Sequence, residues 1–177
     1  MASENYFELF GLSPLYALDS AALEQTWRTL AARVHPDRYA TATPAERRVA
    51  MQWASTINEA YRVLKTPLNR ARYLCEQAGC DLQTENNTRM DGAFLMRQME
   101  WREQLDEARE LHRDSAFAAL ENDIRDAQAQ MNEAITALID QQHDYEHASQ
   151  KVREWMFIEK LAQEVQSSRN DLTDRQH

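Results

Sequence analysis

Residues 27–67 read WRTLAARVHPDRYATATPAERRVAMQWASTINEAYRVLKTP, and this stretch decides the fold of the first half of the chain. Proline disfavours a helical conformation in the residue before it, so a helix that precedes Pro36 must end near His35. A second helix begins after Thr43, because a proline follows it at the first helical position and Glu46 completes a capping box. We therefore predict two helices joined by a short polar loop that carries the tripeptide His-Pro-Asp.

Both helices have an apolar stripe with helical spacing. At about 100° per residue, Arg28 and His35 point about 120–140° away from Leu23, so both should face outward. The inward residues of the first helix are Leu23, Trp27, Leu30 and Val34, and those of the second are Ala50, Trp53 or Ala54, Ile57, Tyr61 and Leu64.

The same stretch resembles a J-domain when its surroundings are included. The opening Tyr-Phe-Glu-Leu-Phe-Gly-Leu at 6–12, the His-Pro-Asp tripeptide and Ile-Asn-Glu-Ala-Tyr-Arg-Val-Leu at 57–64 occur in the order of that family. The resemblance covers residues 6–66 and implies contact with the ATPase domain of a DnaK-class chaperone, whose ATP hydrolysis J-domains stimulate. The residues implied are His35, Pro36 and Asp37, supported by Arg28 and Arg33, while Arg38 extends the positive face. The alternative is an ordinary helix-ending loop in which Asp37 bonds a backbone N–H and His35 is merely solvated.

The rest of the chain also reads as helical. It has only three glycines and four prolines, and neither residue occurs after Gly92. Three amphipathic patterns follow a polar stretch, and short connections between them favour an antiparallel bundle. The predicted fold is all-α, with a J-domain at 1–76, a linker at 77–90, a three-helix bundle at 91–167, and a tail at 168–177 for which we expect disorder.

The first helix of this bundle should have two apolar faces. With Phe94 at zero on the helical wheel, Trp101, Leu105 and Ala108 fall within about 40° and form a buried stripe. Leu95, Met99 and Met96 fall at about 100°, 140° and 200°, outside that stripe, and three glutamates lie beside them at about 180–240°. Methionine suits protein-binding surfaces, and an acidic rim steers a basic partner. Phe157, about 180° from Trp155 on the last helix, is a second candidate for an exposed apolar anchor.

The segments 93–107 and 153–161 extend the resemblance to nearly the whole chain, since they are similar to the HscB family of co-chaperones. In that family the corresponding face binds the iron–sulfur scaffold IscU, and the chaperone partner is HscA. The implied scaffold-binding residues are Leu95, Met96, Met99, Glu100, Glu103, Glu107 and Phe157. Met99 stands where the family more often has leucine, a swap of similar volume. Two alternatives stay open: these apolar residues pack against the J-domain or the linker, or the adaptor recruits a different client.

Charge and composition limit the partners. The net charge is −9, but residues 1–74 carry nine Lys/Arg against seven Asp/Glu, whereas residues 75–177 carry eleven against twenty-two. This acidic balance argues against general nucleic-acid binding. No apolar run is long enough for a membrane span, and residues 1–5 lack the features of a secretory signal. We expect a cytoplasmic monomer.

The remaining candidates for chemistry are weak. Cys75 and Cys80 lack the spacing of a zinc site and have no further cysteines to complete it, and Cys75 is expected to be a small buried side chain. His112, His143 and His147 do not form a convincing metal set. We expect no metal and no cofactor, because the resemblance assigns the iron–sulfur cluster to the scaffold. A metal-dependent enzyme or carrier and a purely structural helical protein are the rival classes.

Overall fold

A computed structural model describes residues 5–82 and 90–174 of the chain, and every regular element in these ranges is helical. The prediction of an all-α fold is confirmed. The elements are α1 (Tyr6–Leu9), α2 (Ser20–Arg33), a 3-10 helix (Pro36–Tyr39), α3 (Pro44–Lys65), α4 (Pro67–Gln77), α5 (Gly92–Leu111), α6 (Asp114–Thr136), a π-helical turn (Ala137–Gln141) and α7 (Tyr145–Asp174). No helix among these is long and apolar enough to cross a lipid bilayer.

Contacts divide the chain into two compact units, Met1–Leu74 and Cys75–His177. In the first unit, side-chain caps start both long helices, and the one at α3 is the predicted capping box. The Asp19 carboxylate accepts bonds from the first N–H groups of α2. At α3 the Thr43 hydroxyl accepts from the N–H of Glu46, whose carboxylate accepts from the N–H of Thr43 at 2.8 Å. Because these caps satisfy N–H groups that a helix end leaves unpaired, they define where each helix begins.

The helices α2 and α3 pair through one aromatic contact and the apolar stripe of α3. Trp27 stacks on Tyr61 with ring centroids 4.6 Å apart, and its indole N–H donates to the Asn58 side chain at 2.9 Å. The buried residues of α3 are Ala50, Ile57, Ala60 and Leu64. Of the two alternatives in the predicted stripe, Ala54 turns inward and Trp53 is exposed.

The second unit is a bundle of α5, α6 and α7. Its core contains the predicted stripe of α5, because Phe94, Trp101, Leu105 and Ala108 are all buried. After α6 comes the π-helical turn, in which Ile139 is buried and Leu138 is only half-buried. With Ile135 buried on α6, either Leu138 or Ile139 could continue its apolar stripe. The hydrophobic period alone does not reveal such a turn, because three- and four-residue steps fit both residues.

The expectation of a disordered tail at 168–177 is wrong for its first seven residues, because α7 continues to Asp174. Cross-helix bonds hold this end of the helix. The Ser168 hydroxyl accepts from the Arg109 guanidinium at 3.0 Å, and Arg169 pairs with two carboxylates of α6 at 2.7 and 2.6 Å. These partners are distant in sequence, so no local pattern indicates them.

Half of the predicted linker at 77–90 lies outside the described residues, since 83–89 are not described. Its first part packs on the bundle. Leu82 is buried, the Arg153 guanidinium donates to the Asp81 carbonyl at 2.8 Å, and the Cys80 thiol donates to the Tyr145 carbonyl at 3.5 Å. Residues 80–82 are therefore attached to α7.

Candidate functional site

The His-Pro-Asp loop, residues 34–43, connects α2 to α3. His35 adopts the extended backbone that Pro36 requires, with φ −60° and ψ 135°, and it caps the 3-10 helix that follows. Its Nδ1 accepts from the Asp37 N–H at 3.3 Å, and the two side chains are 59% and 90% exposed. The loop therefore presents an imidazole and a carboxylate to solvent at a corner whose backbone is restrained by proline.

Three arginines surround this corner, and all are exposed. Arg28 pairs with Glu24 one turn earlier at 2.6 Å. Both side chains are solvent-exposed, and such pairs contribute only about 0.3–0.5 kcal/mol, so a partner can displace Glu24 at small cost. Arg33 ends α2 and Arg38 lies in the last turn of the 3-10 helix, on either side of the tripeptide.

A further arginine holds the loop, and sequence reasoning did not find it. The Arg47 guanidinium donates to the carbonyls of Tyr39 at 3.2 Å, Ala42 at 3.1 Å and Ala40 at 2.6 Å. The only local signal is an arginine beside Glu46 in the capping box, and this pattern does not specify which carbonyls an arginine binds.

The second candidate surface is the apolar ridge, which we define as Leu95, Met96, Met99 and Phe157. These side chains are 46%, 61%, 60% and 47% exposed. The neighbouring residues Phe94, Trp101 and Trp155 are buried. The ridge residues therefore lie outside the core of the bundle, on the side of each helix that the helical wheel predicts.

Two cross-helix bonds show how α5 and α7 align. Arg102 pairs with Glu164, and Arg109, further along α5, bonds Ser168, further along α7, so the two helices run in the same direction with offsets of 62 and 59 residues. If the same offsets hold toward the start of both helices, Phe157 of α7 lies level with residues 95–98 of α5.

The same bonds identify the faces involved. Leu95 precedes Arg102 by nearly two helical turns, and Phe157 precedes Glu164 by the same number of residues, so each apolar residue shares a stripe with one partner of the salt bridge. Leu95 and Phe157 therefore lie at one end of two facing stripes. The sequence offered both as separate candidates, and the bundle brings them to the same level.

Carboxylates border the ridge. The acidic rim, defined as Glu100, Glu103 and Glu107, is exposed along α5. The nearby Arg97 is turned to other partners. Its guanidinium lies over the Trp101 ring at 4.8 Å and contacts Gln130 on α6. An apolar surface with this border suits a protein partner that presents basic residues around an apolar patch.

The cysteines and histidines are not assembled into a metal site. Cys75 is fully buried, as predicted, and burial raises the pKa of its thiol to about 12. His147 pairs with Asp144 at 2.7 Å, whereas His143 contacts the Ile139 carbonyl. Within 5–82 and 90–174, no three His, Cys, Asp or Glu side chains form a group that could hold a metal ion.

A helical hairpin whose connection exposes His-Pro-Asp, followed by a helical bundle, defines a J-domain co-chaperone. Comparisons with known proteins agree. The family model described as "HSCB C-terminal oligomerisation domain" matches residues 90–166. The co-chaperone protein HscB homolog of Bordetella petrii is 62% identical over 96% of this chain and 98% of that relative.

Solved structures give the same result. Chaperone HscB from Vibrio cholerae is 35% identical, with a TM-score of 0.82, over 95% of this chain and 99% of that one. The human co-chaperone protein HscB, at 23% identity and a TM-score of 0.87 over 94% of this chain and 82% of that one, supports the fold alone. The chain belongs to the HscB family of co-chaperones. This family supplies the J-protein of iron–sulfur cluster assembly, so the partner class is a DnaK-class chaperone.

Proposed function

We propose that this protein binds an iron–sulfur scaffold of the IscU type, delivers it to a chaperone of the HscA type and stimulates the ATPase activity of that chaperone. The observation that carries the proposal is the exposure, on one chain, of two chemically different surfaces. One is a basic loop in the first unit and the other is an apolar ridge with an acidic rim in the second. Two such surfaces suit two different protein partners.

The His-Pro-Asp loop supplies the chaperone side of the proposal. Asp37 is 90% exposed and can accept a charge-assisted bond from an arginine of the chaperone, while Arg28, Arg33 and Arg38 bind acidic groups around it. Binding the chaperone more tightly in its hydrolysis-competent conformation accelerates turnover, and each tenfold stimulation needs about 1.4 kcal/mol of differential binding. A few charge-assisted contacts supply that amount.

The ridge and its rim supply the scaffold side. Leu95, Met96, Met99 and Phe157 bury their exposed area against the scaffold, and Glu100, Glu103 and Glu107 steer its basic surface and reject acidic proteins. Because the iron–sulfur cluster belongs to the scaffold, the co-chaperone itself needs no cofactor. Carrying both surfaces on one chain raises the effective concentration of the scaffold at the chaperone.

The proposal includes a cytoplasmic location and a monomeric chain. Both cysteines are free thiols, as is usual in reducing compartments, and the chaperone partner requires ATP. The alternative is an adaptor that recruits another client. It would be favoured if the ridge bound a different basic protein in preference to the scaffold.

The chaperone side is tested with His35→Gln and Asp37→Asn, each assayed for stimulation of ATP turnover by a DnaK-class chaperone. Both variants should abolish stimulation and retain wild-type helicity by circular dichroism and wild-type scaffold affinity. The control is His112→Gln, which changes an exposed histidine of the second unit and should stimulate like wild type. Full stimulation by His35→Gln would contradict the proposal, and unfolding of that variant would contradict the separation of the two surfaces.

A further inference from the structure

The His-Pro-Asp loop contains the 3-10 helix Pro36–Tyr39, and its last part, 40–43, lies outside that helix. Beside the bonds inside that helix, backbone bonds run from the Arg38 N–H to the His35 carbonyl at 3.0 Å and from the Ala42 N–H to the Tyr39 carbonyl at 3.1 Å. The loop is also exposed over nearly its whole length, so burial contributes little to its order. An exposed segment outside regular structure, such as 40–43, populates several conformations unless side-chain contacts fix it.

Arg47 provides that restraint from the first turns of α3. Its Nε donates to the Tyr39 and Ala42 carbonyls and its Nη2 donates to the Ala40 carbonyl, so one planar group binds three carbonyls of the second half of the loop. The backbone of Arg47 is itself fixed, because it lies in the first turn of α3, which the capping box of Thr43 and Glu46 starts. A guanidinium has several donors in a rigid fork, which matches such a set of carbonyls better than an ammonium does.

We propose that Arg47 is a positioning residue of the chaperone-docking surface: it holds the His-Pro-Asp loop in the conformation that binds the DnaK-class chaperone. This inference rests on the proposed function. Arg47 acts through the loop backbone and therefore sets how much of the population is ready to bind, whereas His35 and Asp37 make the contact itself. Its partners are neutral carbonyls, so its positive charge is not cancelled and adds to the basic face.

The expected effect follows from the fraction of molecules in the docking conformation. If loss of the three bonds leaves about one-tenth to one-third of the loop population competent, the half-saturating co-chaperone concentration rises about 3- to 10-fold. The maximal stimulation at saturation should not change, since the competent conformation retains all its contacts. This separation distinguishes Arg47 from His35, whose loss should abolish the maximum.

The experiment compares Arg47→Ala and Arg47→Lys with Arg48→Ala in the full chain. Arg48 is the matched control because it has the same charge and is exposed on the same turn. One arm titrates each protein into a DnaK-class chaperone and measures ATP turnover. The other arm measures amide hydrogen exchange of the Arg38 and Ala42 N–H groups in the co-chaperone alone.

We expect Arg47→Ala to raise the half-saturating concentration about 3- to 10-fold. Exchange at both amides should accelerate as well, because it follows the open fraction of the loop, which rises to about two-thirds or more. Arg47→Lys should fall between Arg47→Ala and wild type, and Arg48→Ala should match wild type in exchange. The inference is overturned if Arg48→Ala weakens stimulation as much as Arg47→Ala, which would indicate charge alone, or if exchange in the loop does not change. The two arms also separate failure of this inference from failure of the proposed function. A wild-type chain that does not stimulate the chaperone refutes the proposed function. The exchange arm still shows whether Arg47 orders the loop.

Discussion

Replacing Leu95 and Phe157 together by alanine should weaken binding to an IscU-type scaffold about 10- to 150-fold. Full burial of a leucine or phenylalanine side chain contributes about 1.5–3 kcal/mol. Leu95 and Phe157 are 46% and 47% exposed, so about half of each side chain remains to be buried by a partner. Each therefore contributes about 0.7–1.5 kcal/mol of binding free energy, and the pair about 1.4–3 kcal/mol.

Isothermal titration calorimetry with purified scaffold measures this loss directly. Leu111→Ala is the matched control, because Leu111 is 50% exposed on the last turn of the same helix but lies far from the level of Phe157. It should bind the scaffold like wild type. Removing one rim carboxylate, Glu103→Gln, should instead mainly lower the association rate, and this effect should shrink as salt is added.

Thermal unfolding distinguishes a binding surface from a core. Leu105 is 1% exposed, and Leu105→Ala should lower the free energy of unfolding by about 2–5 kcal/mol. Replacing Leu95 or Phe157 by alanine should cost less free energy of unfolding per site, since each side chain is already about half exposed. The reasoning is refuted if the double variant binds scaffold with wild-type affinity, or if either single replacement loses as much stability as Leu105→Ala.

Two further predictions concern the thiols and the α3 cap. Because burial raises the pKa of both thiols, that of Cys75 to about 12, an aromatic disulfide reagent at pH 8 should label Cys80 slowly and Cys75 only after unfolding; rapid labelling of two thiols in the native protein would contradict this. The Thr43 N–H, and then the Thr43 hydroxyl, lower the pKa of Glu46, so its carboxylate stabilises the fold above the ordinary glutamate value of about 4.3 and loses this effect as the pH falls through the lowered pKa. Urea unfolding of wild type and Glu46→Gln should therefore differ at pH 7 and converge as the pH falls through the lowered pKa of Glu46; a difference independent of pH would argue against the cap.

Local signals made the helix boundaries predictable. Thr43 caps α3 where the sequence predicts, and Asp19 and Asp91 cap α2 and α5 in the same way. Such caps can be found in a sequence because the capping side chain bonds an N–H only two or three residues away. Gly79 has a φ of +87° just after α4, the left-handed conformation for which glycine is suited. All of this chemistry is contained within a few residues of sequence.

Contacts between residues that are distant in the chain could not be predicted from the sequence. The order of Asp174 and the residues before it depends on Arg109 and on carboxylates of α6, more than 40 residues away, and the Arg47 clamp depends on a loop conformation that only the fold determines. The apolar ridge is intermediate. The helical wheel predicts the exposure of Leu95 and Phe157, but their alignment at one level requires the Arg102–Glu164 bond, which no periodicity indicates.

The claim that one chain bridges two proteins is tested most directly by mixing two defective chains. His35→Gln should keep the scaffold surface and lose the chaperone surface, whereas the Leu95 and Phe157 double alanine variant should do the reverse. We predict that wild-type protein with scaffold stimulates ATP turnover of the chaperone more than either alone, and that an equimolar mixture of the two variants with scaffold gives no more than the sum of their separate effects. Full recovery of wild-type stimulation by the mixture would show that the surfaces need not share a chain, and it would contradict the bridging mechanism.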